Sequence, residues 1–362
     1  MTAGTLHRER VTGRPPLRIG RFSGVWRPRM ITVTVLGLGL LVLVAAVNIG
    51  RGDFPISVDE VLGVLTGGGN TSQQFIVLEL RLPRTLTGIL VGAALGLSGA
   101  ILQGIARNPL ASPDFLGFTT GASAAAVAVI VFGGSAGAVG ATLLTVGVPV
   151  AALVGGLGAA ALVYALAWRR GVEGYRLVLV GIGIDAVARA AIYWMLVIAQ
   201  LYAAAQATVW LNGSLNGRGW EHVVPMALVL AVLGPVALLM TFGLSALWFG
   251  DDIAYGLGVR ANRVRSALIV VAVVLAAVAA SSAGPIAFIA LVVPQICQRL
   301  VGAASPPLLT SAVYGALLTV TADLIARTIL DTELPVGIVT AVLGAPYLLY
   351  LLARRNRKVA VA

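Results

Sequence analysis

The chain has 362 residues, of which 59% are hydrophobic and only 11% are charged, and its mean hydropathy is +0.97. This composition lies far outside the range of soluble globular domains and excludes a cytosolic enzyme. The net charge of +11 does not indicate nucleic-acid binding, because the basic residues lie at the ends of apolar runs rather than along one face. A membrane protein with several spanning helices is therefore predicted.

Apolar runs of about 17 to 25 residues, the length that crosses a bilayer, predict an all-α polytopic bundle of ten transmembrane helices. The predicted spans cover residues 30–49, 86–106, 116–133, 142–168, 176–199, 223–248, 266–283, 285–301, 308–327 and 336–353. The first run lacks a convincing signal-peptide cleavage site and is interpreted as a retained span. Residues 30–353 then form one transmembrane domain between a basic N-terminal segment, 1–29, and a basic tail, 354–362.

The basic residues also predict the orientation of the bundle. Seven arginines lie within residues 8–29, and three arginines and one lysine follow the last span. An even number of spans puts both termini on one side, and the positive-inside tendency assigns that side to the cytoplasm. On this topology 19 basic and 5 acidic residues face the cytoplasm, whereas 5 basic and 8 acidic residues face outward.

Paired arginines precede the second span on the predicted outer face, where positive charge is unexpected. Arg81 and Arg84 belong to an R-L-P-R segment, and Arg327 reaches the same face at the end of the ninth span. Guanidinium groups can receive carboxylates from an external partner, which makes these three residues a candidate docking surface. The alternative is that Arg81 and Arg84 extend to lipid headgroups or pair with Glu79.

The cytoplasmic loop between the sixth and seventh spans, at about residues 247–265, is apolar where a plain connection is polar. Asp251 can cap a short helix with Asp252 in its first turn, and Gly256 or Gly258 can end it. The apolar residues that such a helix would present to a cytoplasmic partner are Ala254, Leu257 and Val259. The alternative is a surface helix that lies against the bundle.

Two opposite charges, Asp185 and Arg189, lie in the middle of the fifth span and on one helix face. Charges at that depth are costly unless they are paired or face water or protein. They form either an intrahelical ion pair buried against another helix or part of a substrate path.

Residues that could carry catalysis are absent from the sequence pattern. His7 and His222 are isolated, Cys297 lies in an apolar stretch, and no catalytic triad or metal-ligand spacing appears. No Walker A motif occurs either, so energy must come from a partner or an ion gradient. No catalytic residue, metal site or cofactor is predicted.

Several segments together resemble the permease subunits of the FecCD family, the type II ABC importers for ferric siderophores, haem and cobalamin. The segments that carry the resemblance are R-L-P-R at 81–84, G-A-A-L-G-L-S-G-A-I-L-Q-G at 92–104, R-N-P-L-A-S-P-D-F-L-G at 107–117, W-L-N-G-S-L-N-G-R-G-W at 210–220, the loop at 250–259, G-P-I-A-F-I-A-L-V-V-P-Q-I at 284–296 and E-L-P-V-G-I-V-T-A-V-L-G-A-P at 333–346. The 210–220 segment looks like siderophore-type members, which makes a ferric siderophore the expected cargo. Haem and cobalamin remain open.

The resemblance implies ten helices, a second permease subunit, two cytoplasmic ATPases and an extracytoplasmic binding protein that docks through acidic residues. Arg81, Arg84 and Arg327 would then meet glutamates of the binding protein, and the fifth span would form one wall of the path. The coupling helix in an ATPase groove would include Gly250, Asp251, Asp252, Ala254, Leu257, Gly258 and Val259. Family members often have His where this chain has Gln295, and small or apolar residues are expected at 185 and 189.

The main interpretation is a non-enzymatic permease subunit of an ATP-driven importer in the bacterial cytoplasmic membrane, in contact with lipid and not with nucleic acid. The alternative from a different class is an ion-coupled secondary carrier that uses Asp185 as its coupling carboxylate. An intramembrane enzyme is a distant third interpretation, because no polar catalytic set is visible in the sequence.

Overall fold

The computed structural model describes the backbone of residues 16–19, 22–25, 27–52, 54–133, 146–169, 173–330 and 333–359, and side chains within residues 27–350. His7 and the side chains of the basic tail lie outside this described part, as does most of the basic N-terminal segment.

Ten apolar helical segments in the described part of the chain correspond one to one with the ten predicted spans. Seven are long and apolar enough to cross a membrane: α1 (Pro28–Gly50), the continuous segment Thr71–Ala106, α6 (Val148–Ala167), α7 (Gly174–Ile198), α9 (Trp220–Leu239), α12 (Ala261–Ala283) and α14 (Leu308–Thr328). The shorter ones are α5 (Phe118–Gly133), α13 (Ile289–Val301) and the apolar part, Val336–Tyr350, of α15 (Val336–Val359). The predicted all-α polytopic bundle is confirmed.

Shorter elements connect or extend these helices. Thr71–Ala106 is built from α3 (Thr71–Gln74), a π-helical stretch (Phe75–Arg81) and α4 (Leu82–Ala106). The others are α2 (Val58–Leu65), α8 (Leu201–Leu211), α10 (Thr241–Phe249) and α11 (Asp251–Gly256). The sixth predicted span, 223–248, is divided between α9 and α10. Ahead of the bundle, β1 (Pro16–Ile19) and β2 (Phe22–Val25) pair as a small antiparallel hairpin.

Helix α4 forms the centre of the bundle and is buried along most of its length, against α14, α12, α13 and α9. Glycines allow this close approach: Gly92 and Gly96 pack on the backbone around Gly315 of α14. A Cβ on Gly99 would overlap the carbonyl oxygen of Ala290 in α13. Small residues at helix contacts are expected in a membrane, where no hydrophobic effect drives helices together.

A chain of amide hydrogen bonds joins α4 to α13 within the bundle. The Gln295 side-chain amide donates to the Gln103 Oε1 at 2.6 Å, and Gln103 Nε2 donates to the carbonyl oxygens of Ala290 and Leu291 at 3.2 and 2.9 Å. Pro294 has no backbone N–H, so the carbonyl of Ala290, four residues earlier in the helix, lacks its usual donor. Gln103 therefore supplies donors to α13, and Gln295 orients the Gln103 amide.

Helices at the periphery leave large apolar surfaces uncovered. Most of α1, α7 and α9 is exposed, and α7 carries Tyr193, Trp194 and Val197 on its open side. Apolar surface of this extent is stable against lipid or a second subunit but not against water.

Candidate docking, coupling and translocation sites

Arg81 ends the π-helical stretch and folds back onto the end of α1. Its guanidinium donates to the carbonyl oxygens of Ile49, Gly50 and Phe54 at 3.0, 3.2 and 2.6 Å. The side chain is buried. It supplies donors to the carbonyls of Ile49 and Gly50, which lie at the end of α1 and lack intrahelical donors. Arg81 therefore holds the loop after α1 against the start of α4.

Arg84 and Arg327 share one buried carboxylate, Asp323. Arg84 forms ion pairs with Asp323 at 2.9 Å and with Glu333 at 3.0 Å, and Arg327 approaches Asp323 at 3.7 Å. Asn48 completes the group: its amide donates to Asp323 at 3.1 Å, and its oxygens accept from Arg327. The result is a buried polar network that joins α1, α4 and α14 at the predicted outer end.

The three predicted docking arginines do lie together, on the wall of one cavity of about 460 Å³ at this end of the bundle. They do not form an exposed patch, however, because each is at least nine-tenths buried and already bonded inside the chain. The sequence misses Arg218, which lines the same cavity and is only half-buried, and also Glu333. We call this space the outer cavity.

Arg218 is held by its own loop rather than by a carboxylate. Its Nε donates to the Ser214 carbonyl at 3.3 Å, and its Nη1 lies 3.0 Å from His222 Nε2. Burial lowers the pKa of the Arg218 guanidinium from its ordinary value, but arginine remains charged in proteins. In the sequence, Arg218 is one of the five basic residues on the predicted outer side.

The predicted cytoplasmic helix exists as α11, but its cap differs from the prediction. Gly250, with φ at +122°, precedes the helix, and Asp251 is its first residue rather than its cap. The Asp251 carboxylate instead accepts from Arg107 at 2.8 Å and from Arg265 at 2.7 Å. Helix α11 is thereby tied to the end of α4 and to α12.

The structure also corrects which residues of this helix face outward. Ala254 and Val259 are buried in a small cluster with Leu247 and Ala261, since α11 lies against the bundle on that side. Leu257 is exposed as predicted, together with Ile253 and Tyr255, which were not singled out from the sequence. The apolar face open to a partner is therefore Ile253, Tyr255 and Leu257. Asp252 lies in the first turn of α11, and Gly258, which follows the helix, has a positive φ of 77°.

The charges in the fifth span form the ion pair that their spacing predicts. Arg189 Nε donates to Asp185 at 2.7 Å, and the Thr120 hydroxyl of α5 also donates to Asp185. The pair is not buried against another helix: the Arg189 side chain is 56% exposed, and that of Asp185 is 17% exposed. The prediction of a buried intrahelical ion pair is therefore right about the pairing and wrong about the burial.

Arg189 borders a second cavity, of about 290 Å³, which we call the mid-span cavity. Its walls come from α5, α7, the end of α8 and the turn after α12, and Asp114 contributes a third charge from the loop before α5. The sequence misses Asp114 because it lies far from Asp185 along the chain.

Comparison with known proteins gives one consistent result. The sequence model of the FecCD transport family matches residues 40–354. The chain is 41% identical over 337 residues to the ferric enterobactin transport system permease protein FepG of Escherichia coli, covering 92% of this chain and 99% of that protein. It is also 41% identical over 350 residues to the achromobactin transport system permease protein CbrC of Dickeya dadantii, covering 94% and 96%.

A solved structure of a metal-chelate type ABC transporter in an inward-facing conformation resembles the fold along nearly its whole length. The TM-score is 0.78 at 28% sequence identity, and the match covers 90% of this chain and 99% of that one.

Proposed function

Because this chain belongs to the FecCD transport family, we propose that it is the permease subunit through which an ATP-driven importer moves a ferric siderophore across the bacterial cytoplasmic membrane. The observation that carries the proposal is the end-to-end match to permease proteins named for ferric enterobactin and achromobactin transport. The ten apolar helical segments in the described part of the chain support a translocation role, and the sequence contains no Walker A motif.

The proposed partners are a second permease subunit, identical or homologous, two cytoplasmic ATPases and an extracytoplasmic binding protein. The exposed apolar side of α7 supports a subunit contact, because Trp194 and Val197 are uncovered in the single chain. Lipid covers the remaining apolar surface of the bundle.

We assign ATPase coupling to residues 250–259, with two kinds of residue. The face formed by Ile253, Tyr255 and Leu257 makes the contact, since these side chains are exposed. The other coupling residues hold the helix in place: Gly250, Asp251, Asp252, Ala254, Gly258 and Val259. This division explains why small residues and acids alternate with large apolar ones in a cytoplasmic loop.

Docking of the binding protein is assigned to the outer cavity. A carboxylate from the partner that enters the cavity would meet Arg218 first and then Arg84, whose ion pair with Glu333 is half-exposed. Arg81 and Arg327 contribute positive potential from the cavity wall. They also hold the shape of the cavity through hydrogen bonds to backbone carbonyls in the last turn of α1. Arginine suits this role because its fork can bind two carboxylates at once.

The translocation path is assigned to the mid-span side of α7, where Asp185 and Arg189 lie. A half-exposed guanidinium in the middle of a 25-residue apolar helix would cost at least about 2.5 to 3.5 kcal/mol against hydrocarbon. A water-filled path between two permease subunits removes that cost.

The test is uptake by proteoliposomes that contain the chain with its partner permease and ATPases, supplied with binding protein loaded with a ferric tris-catecholate. We expect uptake with ATP and none with a non-hydrolysable ATP analogue. Uptake by the chain alone, driven by an ion gradient, would instead establish a secondary carrier. Haem and cobalamin are supplied in parallel, and transport of either in place of the ferric chelate would contradict the assigned cargo.

A further inference from the structure

The mid-span cavity offers a ligand two exposed donor side chains, the Arg189 guanidinium and the Tyr193 hydroxyl, and only the guanidinium is charged. Within the described part of the chain, Arg189 makes its hydrogen bond through Nε, to Asp185 at 2.7 Å, and its two Nη groups donate to no protein acceptor. The side chain is 56% exposed on the cavity side of α7. The guanidinium therefore presents its outer edge to the open space.

The threonine and serine hydroxyl groups that line the cavity already donate hydrogen bonds within the protein. Thr119 donates to Asp114 at 3.1 Å, Thr120 donates to Asp185, and Ser123 donates to the Thr119 carbonyl at 2.8 Å. Two of these bonds also fix the orientation of the Asp114 and Asp185 carboxylates. Arg189 is thus the charged donor left for a ligand in this part of the structure, beside the neutral Tyr193 hydroxyl.

The two carboxylates are covered to a greater degree than the guanidinium. Asp185 is 17% exposed and lies beneath Arg189, and Asp114 is half-buried and bonded to Thr119. With both carboxylates ionised, Asp114, Asp185 and Arg189 together carry a net charge of −1, so the cluster attracts no anion from a distance. At contact distance, however, a ligand can reach the guanidinium, because the Arg189 side chain is 56% exposed whereas that of Asp185 is 17% exposed and Asp114 is half-buried.

From these observations we propose that the mid-span cavity is a transient contact site for negatively charged, oxygen-rich metal chelates, with Arg189 as the specificity-determining residue. The inference rests on the proposed transport function and names the charge class of its cargo. Guanidinium binds carboxylate and phenolate oxygens by charge-assisted hydrogen bonds. Competition from Asp185 keeps the contact weak, which a conduit requires, since a tight site would slow release.

The first experiment measures the local charge directly. Tyr193 lines the cavity one helical turn from Arg189, so Tyr193→Cys in a Cys297→Ala background places a reporter thiol there in the assembled, membrane-embedded transporter. The probes are two methanethiosulfonates, one with a sulfonate and one with a trimethylammonium group. We expect Arg189→Gln to lower the ratio of anionic to cationic reaction rates about three- to tenfold.

The matched control is Arg176→Gln. Arg176 lies on the same helix and pairs with Glu173 at 3.3 Å, but it does not line the cavity. This variant should leave the rate ratio unchanged. An equal ratio in the Arg189→Gln variant and its parent overturns the inference, because the guanidinium would then not face the space that a ligand enters.

The second experiment measures transport by charge class. Proteoliposomes receive a negatively charged ferric tris-catecholate or an uncharged ferric tris-hydroxamate, each at saturating concentration on a binding protein that holds it. Arg189→Gln should lower the maximal uptake rate of the negative chelate about three- to tenfold, and Arg189→Lys should restore most of it. Uptake of the uncharged chelate should change less than about twofold on the same scale.

The two proposals fail in different ways. If the wild-type transporter shows no ATP-dependent uptake of either chelate, the proposed function is contradicted. If the wild type transports normally and Arg189→Gln affects both chelates equally, or neither, only the charge selection by Arg189 is contradicted.

Discussion

Asp323 shows how a single side chain determines what its neighbours can do. It is fully buried and accepts hydrogen bonds from Arg84 and Asn48 while Arg327 lies 3.7 Å away. A buried charge of this kind is stable only while its partners remain, since desolvation penalises any charge left alone. Glu333 contacts the same guanidinium of Arg84 but is 42% exposed, so water can replace it.

We therefore predict a large and a small loss of stability for conservative changes at the two carboxylates that contact Arg84. Asp323→Asn should lower the stability of the subunit by about 3 to 5 kcal/mol, because the buried Arg327 loses its counter-charge and Arg84 keeps only the half-exposed Glu333. Glu333→Gln should cost no more than about 1 kcal/mol. Thermal unfolding in detergent measures both, with a fluorogenic thiol reagent that reaches buried Cys297 only when the chain unfolds. Similar midpoints for the two variants would contradict the buried network.

Helix α11 illustrates the same distinction for an element. One side of this six-residue helix packs into the bundle through Ala254, and the other side leaves Ile253, Tyr255 and Leu257 exposed. Two ion pairs of Asp251 determine which side faces inward. A short helix without those contacts would not persist, because isolated helices of this length are unstable in water.

Two aspartate substitutions separate the sides of α11. Leu257→Asp should abolish ATP-driven uptake while leaving the thermal unfolding midpoint unchanged, since an exposed apolar contact is lost only in the complex. Ala254→Asp should instead destabilise the subunit, because it buries an unpaired charge.

Crosslinking checks the assignment of the two sides. In a Cys297→Ala background, a cysteine at residue 257 should crosslink to an ATPase, and one at residue 254 should not. A crosslink from residue 254 alone would reverse our assignment.

At the scale of the whole molecule, the candidate sites occupy three levels that the fold connects. The outer cavity lies where α1 and α14 end and α4 begins, the mid-span cavity lies beside α7, and α11 lies at the other end of the bundle. The loop after α4 links the last two, because Arg107 binds Asp251 and Asp114 borders the cavity. If an ATPase binds α11 as we propose, a displacement of this helix can reach the mid-span cavity through one short segment.

Docking at the outer cavity is best tested at its accessible rim. Reversal of Arg81, Arg84 and Arg327 would disrupt buried contacts, so loss of docking in that variant would not be informative. Arg218→Glu should instead weaken binding-protein association about tenfold, and more at low salt, with ATPase activity retained. Arg51 is exposed on the same side but does not line the cavity. Equal effects of Arg51→Glu and Arg218→Glu would contradict the assignment.

The sequence by itself determined the number, type and approximate bounds of the membrane helices, because bilayer thickness imposes a length on each apolar run. It also determined the pairing of Asp185 with Arg189, since helix periodicity places residues four apart on one face. Both are local properties of the chain. The short helix α11 was likewise visible, from its glycines and acidic residues.

Only the tertiary structure decided which of these residues are buried. Arg84 and Asp323 are 239 residues apart, and their ion pair forms only because α4 and α14 pack through glycines at close range. The burial of Ala254 and the exposure of Arg189 also depend on which neighbouring helix covers each side. Sequence periodicity identifies a face of a helix, but burial is a property of the packed bundle, which is why the docking and coupling surfaces had to be reassigned.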